Sequence, residues 1–365
     1  MFLYKLFSAL LIPVTVLSNP ITTSIEQRSP GNVVQAGSPV VIDANGIYIR
    51  ASPLKTGGLI AGYTAHENGQ SILRLAQSDN SGSSWNFIGE VWRVDTSTHD
   101  VDNAMPLQLP SGRIVYAFRN HDRTGNTFTY YRLTLCYSDD GGKNFVYAST
   151  IEQQAATPNN PNGLWEPFLR VATDGSLQCY YSAENSAVDQ DGYMKRSTDG
   201  GITWSGWTKI SGGDRTSRDG MIGVANIDNS GNLIAVFENT ESGPFTVDYV
   251  LSHDDGNSWG QRGRLYTARN GAGAGAPQVM NVGGTLVTSF MTDEDVAGIP
   301  GSGYDGAQMK VVTSVDGGQT WGLATVTGDA RSHWPGLYTL NQTHFLALYS
   351  KDGLGAVSQH YQLVN

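Results

Sequence analysis

Cysteine is nearly missing from this chain, Cys136 and Cys179 being the only two in 365 residues, so a hydrophobic core and not a disulfide framework must hold it together. Charge is scarce as well: Asp, Glu, Lys and Arg make up 15 % of the residues, and 33 acidic against 23 basic side chains give a formal net charge of −10. No basic run occurs, which argues against nucleic acid as a partner, because phosphate contacts need clustered Lys and Arg. No heptad pattern is present, and beyond the first twenty residues no apolar run reaches the length of a membrane span, so no membrane partner is expected. No His or Cys cluster has metal-ligand spacing and no Asp-rich segment matches a calcium loop, so neither a metal nor a cofactor is expected.

Residues 1–18 read as a secretory signal peptide, with basic Lys5, an apolar run from Leu6 to Leu17 and small residues near Ser18. A secreted, extracellular protein follows as the expectation, with residues 19–365 forming one domain and a monomer. The sequon Asn341-Gln342-Thr343 fits that route. In an oxidising setting Cys136 and Cys179 can pair or stay as buried thiols; both lie in apolar segments, and the sequence leaves the choice open.

What the chain has in abundance is 44 glycines, 17 tyrosines and 8 tryptophans, a mixture suited to many short strands joined by tight turns. One eight-residue pattern recurs five times: Ser78 to Trp85, Ser138 to Phe145, Ser197 to Trp204, Ser252 to Trp259 and Ser314 to Trp321. Its copies start 60, 59, 55 and 62 residues apart, the spacing of a repeated structural unit. In each, an Asp or Asn side chain can accept backbone N–H bonds from the residues that follow, and Gly two positions later supplies a positive φ. These motifs resemble the Asp boxes of sialidase-like β-propellers and read as structural turns that never touch substrate.

Between the boxes a second repeat counts six: a short strand, a turn with glycine in most copies, and an apolar strand, as in Glu166 to Leu169 followed by Ser176 to Tyr181. Six such hairpins, each extended by two further strands, predict an all-β fold of six four-stranded antiparallel blades in a ring. The last blade has no box, and Pro39 to Ile49 is expected to supply its missing strand. In a propeller the start of strand one and the end of strand two share a rim, and the box turns stand on the other face. Rim positions before the first strands include Arg50, Asp102, Asn103, Trp165, Glu166, Arg218, Asp219 and Trp334, and those after the second include Arg119 and Glu238.

Two of these carboxylates stand out. Glu166 lies in Leu164-Trp165-Glu166-Pro167-Phe168-Leu169 and Glu238 ends the apolar run Leu233 to Phe237, places where a carboxylate is costly unless paired or used. They fall in adjacent blades, and paired carboxylates between aromatic walls are what glycoside hydrolysis needs. Arg170, four residues on in an extended segment, would hold Glu166 ionised as the nucleophile, while desolvation would make Glu238 the acid.

From about Asn32 to its end the chain resembles the fungal exo-α-1,5-L-arabinanases of glycoside hydrolase family 93 in Val101 to Pro106, Trp165-Glu166-Pro167, Val236 to Asn239 and Trp334-Pro335-Gly336. The resemblance implies Glu166 and Glu238 as the catalytic pair of a retaining mechanism, with Tyr338 as an active-site tyrosine; the rim positions Arg50, Asp102, Asn103, Trp165, Arg218, Asp219 and Trp334 are the residues expected around the substrate. It also implies that arabinan or an arabino-oligosaccharide is the partner and that arabinobiose is released from the non-reducing end. Two rivals stand beside it. A sialidase would use Arg50, Arg119 and Arg218 to clamp a substrate carboxylate. A non-catalytic carbohydrate-binding propeller would tolerate loss of both glutamates.

Overall fold

The computed structural model describes residues 31–296 and 306–364; residues 1–18, read as a signal peptide, lie outside them. The chain folds into six antiparallel sheets in sequence order, five of four strands and one of five. Their innermost strands are Gly46–Pro53, His99–Gln108, Leu164–Val171, Gly220–Asn226, Ala274–Val282 and Ser332–Thr339. Helix among the described residues amounts to one 3-10 turn, Arg269–Gly271. This is the six-bladed propeller that the two repeats predict, and Cys136 and Cys179 are buried, separate thiols within it.

The ring closes at its chain ends with a small change of register from the expectation. Asn32–Gln35 and Val40–Asp43 both pair with the last strand, Gly355–Val364, and together form the outer edge of blade six. Gly46 to Ile49, expected in that edge, instead open the inner strand of blade one. The reason is the two-residue turn at Ala44-Asn45, where the Asn45 N–H bonds the Asp43 carboxylate and the chain reverses into a new blade.

Each box joins strands three and four of its blade, on the face away from the starts of the inner strands. The serine hydroxyl of every copy accepts the N–H of the box glycine, at 2.8–2.9 Å in Gly82, Gly142, Gly201, Gly256 and Gly318. The Asn80 or Asp side chain accepts the N–H four residues on at 2.8–3.0 Å. All five glycines have φ between 83° and 94° and pack against the preceding blade. A Cβ on them would meet Leu346, Leu75, Leu135, Tyr180 and Ile234 in turn. The boxes are therefore wedges between blades as well as turns. At Gly201, with φ 94° and Leu135 Cδ2 only 2.2 Å from an added Cβ, alanine is expected to cost on the order of 2–4 kcal/mol in chemical denaturation.

The other face carries a second periodic device. Each inner strand holds one non-glycine residue with φ between 47° and 61°: Tyr48, Asn103, Glu166, Met221, Ala276 and Trp334. Each coincides with a break in strand pairing, between Ile47 and Arg50, Asp102 and Met105, Trp165 and Phe168, Gly220 and Gly223, Gly275 and Gln278, and His333 and Gly336. An L-residue in this conformation costs about 1–2 kcal/mol, so a device repeated in every blade is held in place by what surrounds it. A bulge takes its residue's N–H out of the ladder and turns the side chain. Six such turns at one level surround the mouth of the channel.

Candidate active site

Glu166 is the bulge residue of blade three, and its carboxylate accepts the backbone N–H of Met221, the bulge residue of blade four. Glu238 ends the second strand of blade four, and its Oε2 accepts the N–H of Ala276, the bulge residue of blade five, at 2.7 Å. The bulges thus supply the donors that fix both carboxylates. Each glutamate keeps part of its surface open to water, while protein atoms crowd its carboxylate.

Burial pushes the Glu166 carboxyl up to about 8, with the nearby Glu238 charge adding to the rise and Arg119 and the Met221 N–H opposing it. Burial likewise pushes Glu238 up to about 7, against the pull of the Ala276 N–H and Arg218. The two carboxyls act on each other: the Glu238 charge is among the causes that raise Glu166.

Other rim residues gather around this pair. Tyr48, from blade one, feels the charges of Arg50, Glu166, Asp102 and Arg119, and burial lifts its hydroxyl well above the usual range. Its ring lies 6.2 Å from that of the exposed Trp334 and carries the Arg50 guanidinium 4.1 Å above its centroid. Arg119 bonds Asp100 at 3.1 Å, lies 3.7 Å from Asp102 and stands 5.3 Å over the Trp165 ring. Several polar atoms here are buried with no protein partner: Arg50 Nη2, Asn103 Oδ1, Arg119 Nε, Asn120 Oδ1 and Trp165 Nε1. Such atoms carry a desolvation cost that a hydroxyl-rich ligand would remove. Arg218 stands beside the pair, bound to Glu184 at 2.7 Å and to Gln190 at 2.6 Å.

Three expectations change. Arg170 does not face Glu166: the bulge between Trp165 and Phe168 breaks the alternation on which that placement rested. Its guanidinium bonds Asp255, Asn226 and Gln178, and Arg119 is the cation in reach of Glu166. Asp219 is fully buried and turned away from the channel, bound to Arg262 at 2.6 Å and to Asn239 at 2.7 Å, because its neighbour Gly220 resumes the ladder opposite Glu238. It anchors the chain around Glu238. Alanine there leaves the mostly buried Arg262 short of a partner and is expected to cost about 3 kcal/mol in urea unfolding. Tyr338 lies four residues down the inner strand from Trp334, in one apolar cluster with Ile49, Leu59 and Leu346, and the tyrosine that feels the Glu166 charge is Tyr48.

Arg119 was among the rim positions read from sequence, but Tyr48 was not. Its signal is positional. Counting six residues back from the turn that ends each inner strand, at Leu54, Leu109, Ala172, Ile227, Val282 and Leu340, lands on the bulge residue every time.

Neither a family model nor a curated protein sequence matches the chain. Solved structures do. A GH93 α-L-arabinofuranosidase of Fusarium graminearum in complex with arabinobiose aligns at 19 % identity and TM-score 0.69, over 90 % of this chain and 98 % of its own. A Penicillium chrysogenum α-L-arabinanase, also with arabinobiose, aligns at 20 % identity and TM-score 0.67, over 91 % and 98 %. The Hadza microbial sialidase Hz136 aligns at 16 % identity and TM-score 0.63, over 88 % of this chain and 66 % of its own. At these identities the likeness is one of architecture, and the chain has the six-bladed, sialidase-like propeller fold of those arabinan- and sialic-acid-named enzymes.

Proposed function

We propose that the protein is a secreted glycoside hydrolase of the GH93 type that acts on linear α-1,5-L-arabinan from the non-reducing end, releases arabinobiose and retains anomeric configuration. The observation that carries this reading is the pair of partly buried, coupled carboxylates Glu166 and Glu238 on adjacent blades, both raised toward the range in which one holds a proton and the other gives it up. The arabinobiose complexes of the two fungal neighbours support the choice of sugar.

We assign the roles opposite to those expected from sequence, because the Glu238 charge is among the causes that raise Glu166. Glu238 ionises first and attacks the anomeric carbon, and the electron pair of the breaking bond goes to the glycosidic oxygen, which Glu166 protonates. Glu166, now ionised, then takes a proton from water as that water attacks the glycosyl–Glu238 ester, releasing the sugar and restoring both groups. Arg119 and Arg218, each beside one carboxylate, steady the charge as it moves between them.

The sialidase reading needs three guanidiniums free for one carboxylate, but Arg119 is engaged by Asp100 and Arg218 by Glu184. Product analysis on debranched arabinan tests the proposal: arabinobiose alone is expected. A ladder of oligomers would mean an endo enzyme, and turnover of a sialyl glycoside without turnover of arabinan would mean a sialidase.

A further inference from the structure

On the rim outside the catalytic pair, a cleft of about 860 Å³ runs between blades two and three. One wall is the hairpin around Asn126 to Tyr131, the other is the connection Ala156 to Pro161, and Trp165 and Glu184 close its inner end. Three rings form its apolar surface. Phe128, Tyr131 and Trp165 have centroids 5.4–6.2 Å apart. Behind them stands His121, fully buried, edge-on to all three at 4.9–5.6 Å, its Nε2 2.8 Å from the Leu164 carbonyl oxygen. Burial pushes this imidazole down to about 3, so it is a neutral support for the aromatic wall and takes no part in proton transfer near neutral pH. Gly163 lets the connection pass close over Trp165, since a Cβ there would meet the indole at 2.5 Å. The Glu184 carboxylate accepts the Gly163 N–H at 2.9 Å and so ties the connection to the rim.

Orientation gives this cleft a role. In a retaining mechanism the acid stands on the leaving-group side of the scissile bond. Glu166, on blade three, is that acid, and Glu238, on blade four, is the nucleophile. The direction from Glu238 past Glu166 continues into blades three and two, where Trp165, the residue before Glu166, is shared by the catalytic rim and the cleft. We infer that the Phe128–Tyr131–Trp165 cleft binds the leaving portion of the polysaccharide, so that successive sugar rings of the chain being shortened lie against its aromatic wall. Aromatic faces suit the apolar faces of sugar rings, and exposed Asn126, Thr157, Asn159 and Asn160 along the cleft offer amide and hydroxyl groups to their hydroxyls. The inference rests on the proposed function and on its assignment of Glu166 as the acid.

The test compares kcat/KM for α-1,5-arabino-octaose and arabinotriose, substrates that share the released unit and differ in the length of the leaving chain. The wild-type enzyme is expected to prefer the octaose. Phe128→Leu, which keeps apolar volume but removes the ring, and Phe128→Ala are expected to lower the octaose-to-triose ratio about tenfold, through KM. Equal kcat/KM on the two substrates in the wild type, or an unchanged ratio in a folded Phe128 variant, overturns the assignment of the cleft and leaves the proposed function standing. Hydrolysis of neither substrate overturns the function itself.

Discussion

Alanine in place of Glu238 is expected to lower kcat on linear arabinan by roughly 10³-fold or more, and alanine in place of Glu166 by about 10²–10⁴-fold. The distinguishing readout is chemical rescue. With an activated aryl arabinobioside, azide should restore turnover to both variants by filling the space of the lost carboxylate. In Glu238→Ala azide attacks in place of the nucleophile and gives the inverted glycosyl azide. In Glu166→Ala the glycosyl–Glu238 ester still forms and azide opens it, giving the retained product. The reverse pattern would mean that Glu166 is the nucleophile, and no rescue of either variant would remove the pair from the reaction. The assignment follows from what each carboxylate faces: Glu238 takes a short bond from the Ala276 N–H, and the rise of Glu166 includes the charge of Glu238 itself.

The pH profile of kcat/KM is expected to be a narrow bell. Activity needs Glu238 ionised, so it rises with pH through the neighbourhood of 7, and it needs Glu166 protonated, so it falls as pH passes about 8. The limbs belong to the pair, and changing one group moves the other. In Glu238→Gln the like charge is gone, so Glu166 should titrate at lower pH in an NMR titration of its carboxyl. An unmoved Glu166 would show that the two groups are not coupled.

The same shifts predict a stability effect. Between about pH 4.3, where an unfolded Glu loses its proton, and about 8, folded Glu166 keeps a proton that the unfolded chain has released. Stability from this group is therefore fully present below that window and is lost as pH rises through it. Glu166→Gln removes the titration and is expected to stabilise the protein at pH 8.5 by on the order of 1–3 kcal/mol, an amount below what the full shift implies because the carboxylate is partly open to water. Little difference should remain at pH 4. Equal gains at both pH values would mean that the effect comes from packing.

Much of this was legible in the chain because the repeats are local. A box works through hydrogen bonds spanning four residues, from Ser197 to Gly201 or Asp199 to Thr203, so its pattern survives in sequence at every copy even where Asn80 replaces Asp and Phe145 replaces Trp. The spacing of the boxes then counts blades, and blade count with strand order places Glu166 and Glu238 on one rim. Reasoning by alternation failed at the bulges. It put Arg170 beside Glu166, because a two-residue period holds only while the ladder is unbroken, and the ladder breaks between Trp165 and Phe168. Asp219, read as a rim residue, is instead taken up by Arg262 and Asn239. No letter in Tyr48, Met221 or Ala276 announces a left-handed backbone.

The sequence by itself determined the all-β repeat, the number of blades, the face that carries the polar rim and the two carboxylates worth attention, since all of these follow from short-range patterns copied along the chain. Tertiary structure alone decided which groups meet. Only ring closure sets Tyr48 of blade one opposite Glu166 of blade three and gives Arg119 to the latter. Only the register of neighbouring blades brings the Ala276 N–H to Glu238. The protonation order of the pair depends on burial and on charges from separate blades, quantities that exist only once the chain has closed on itself.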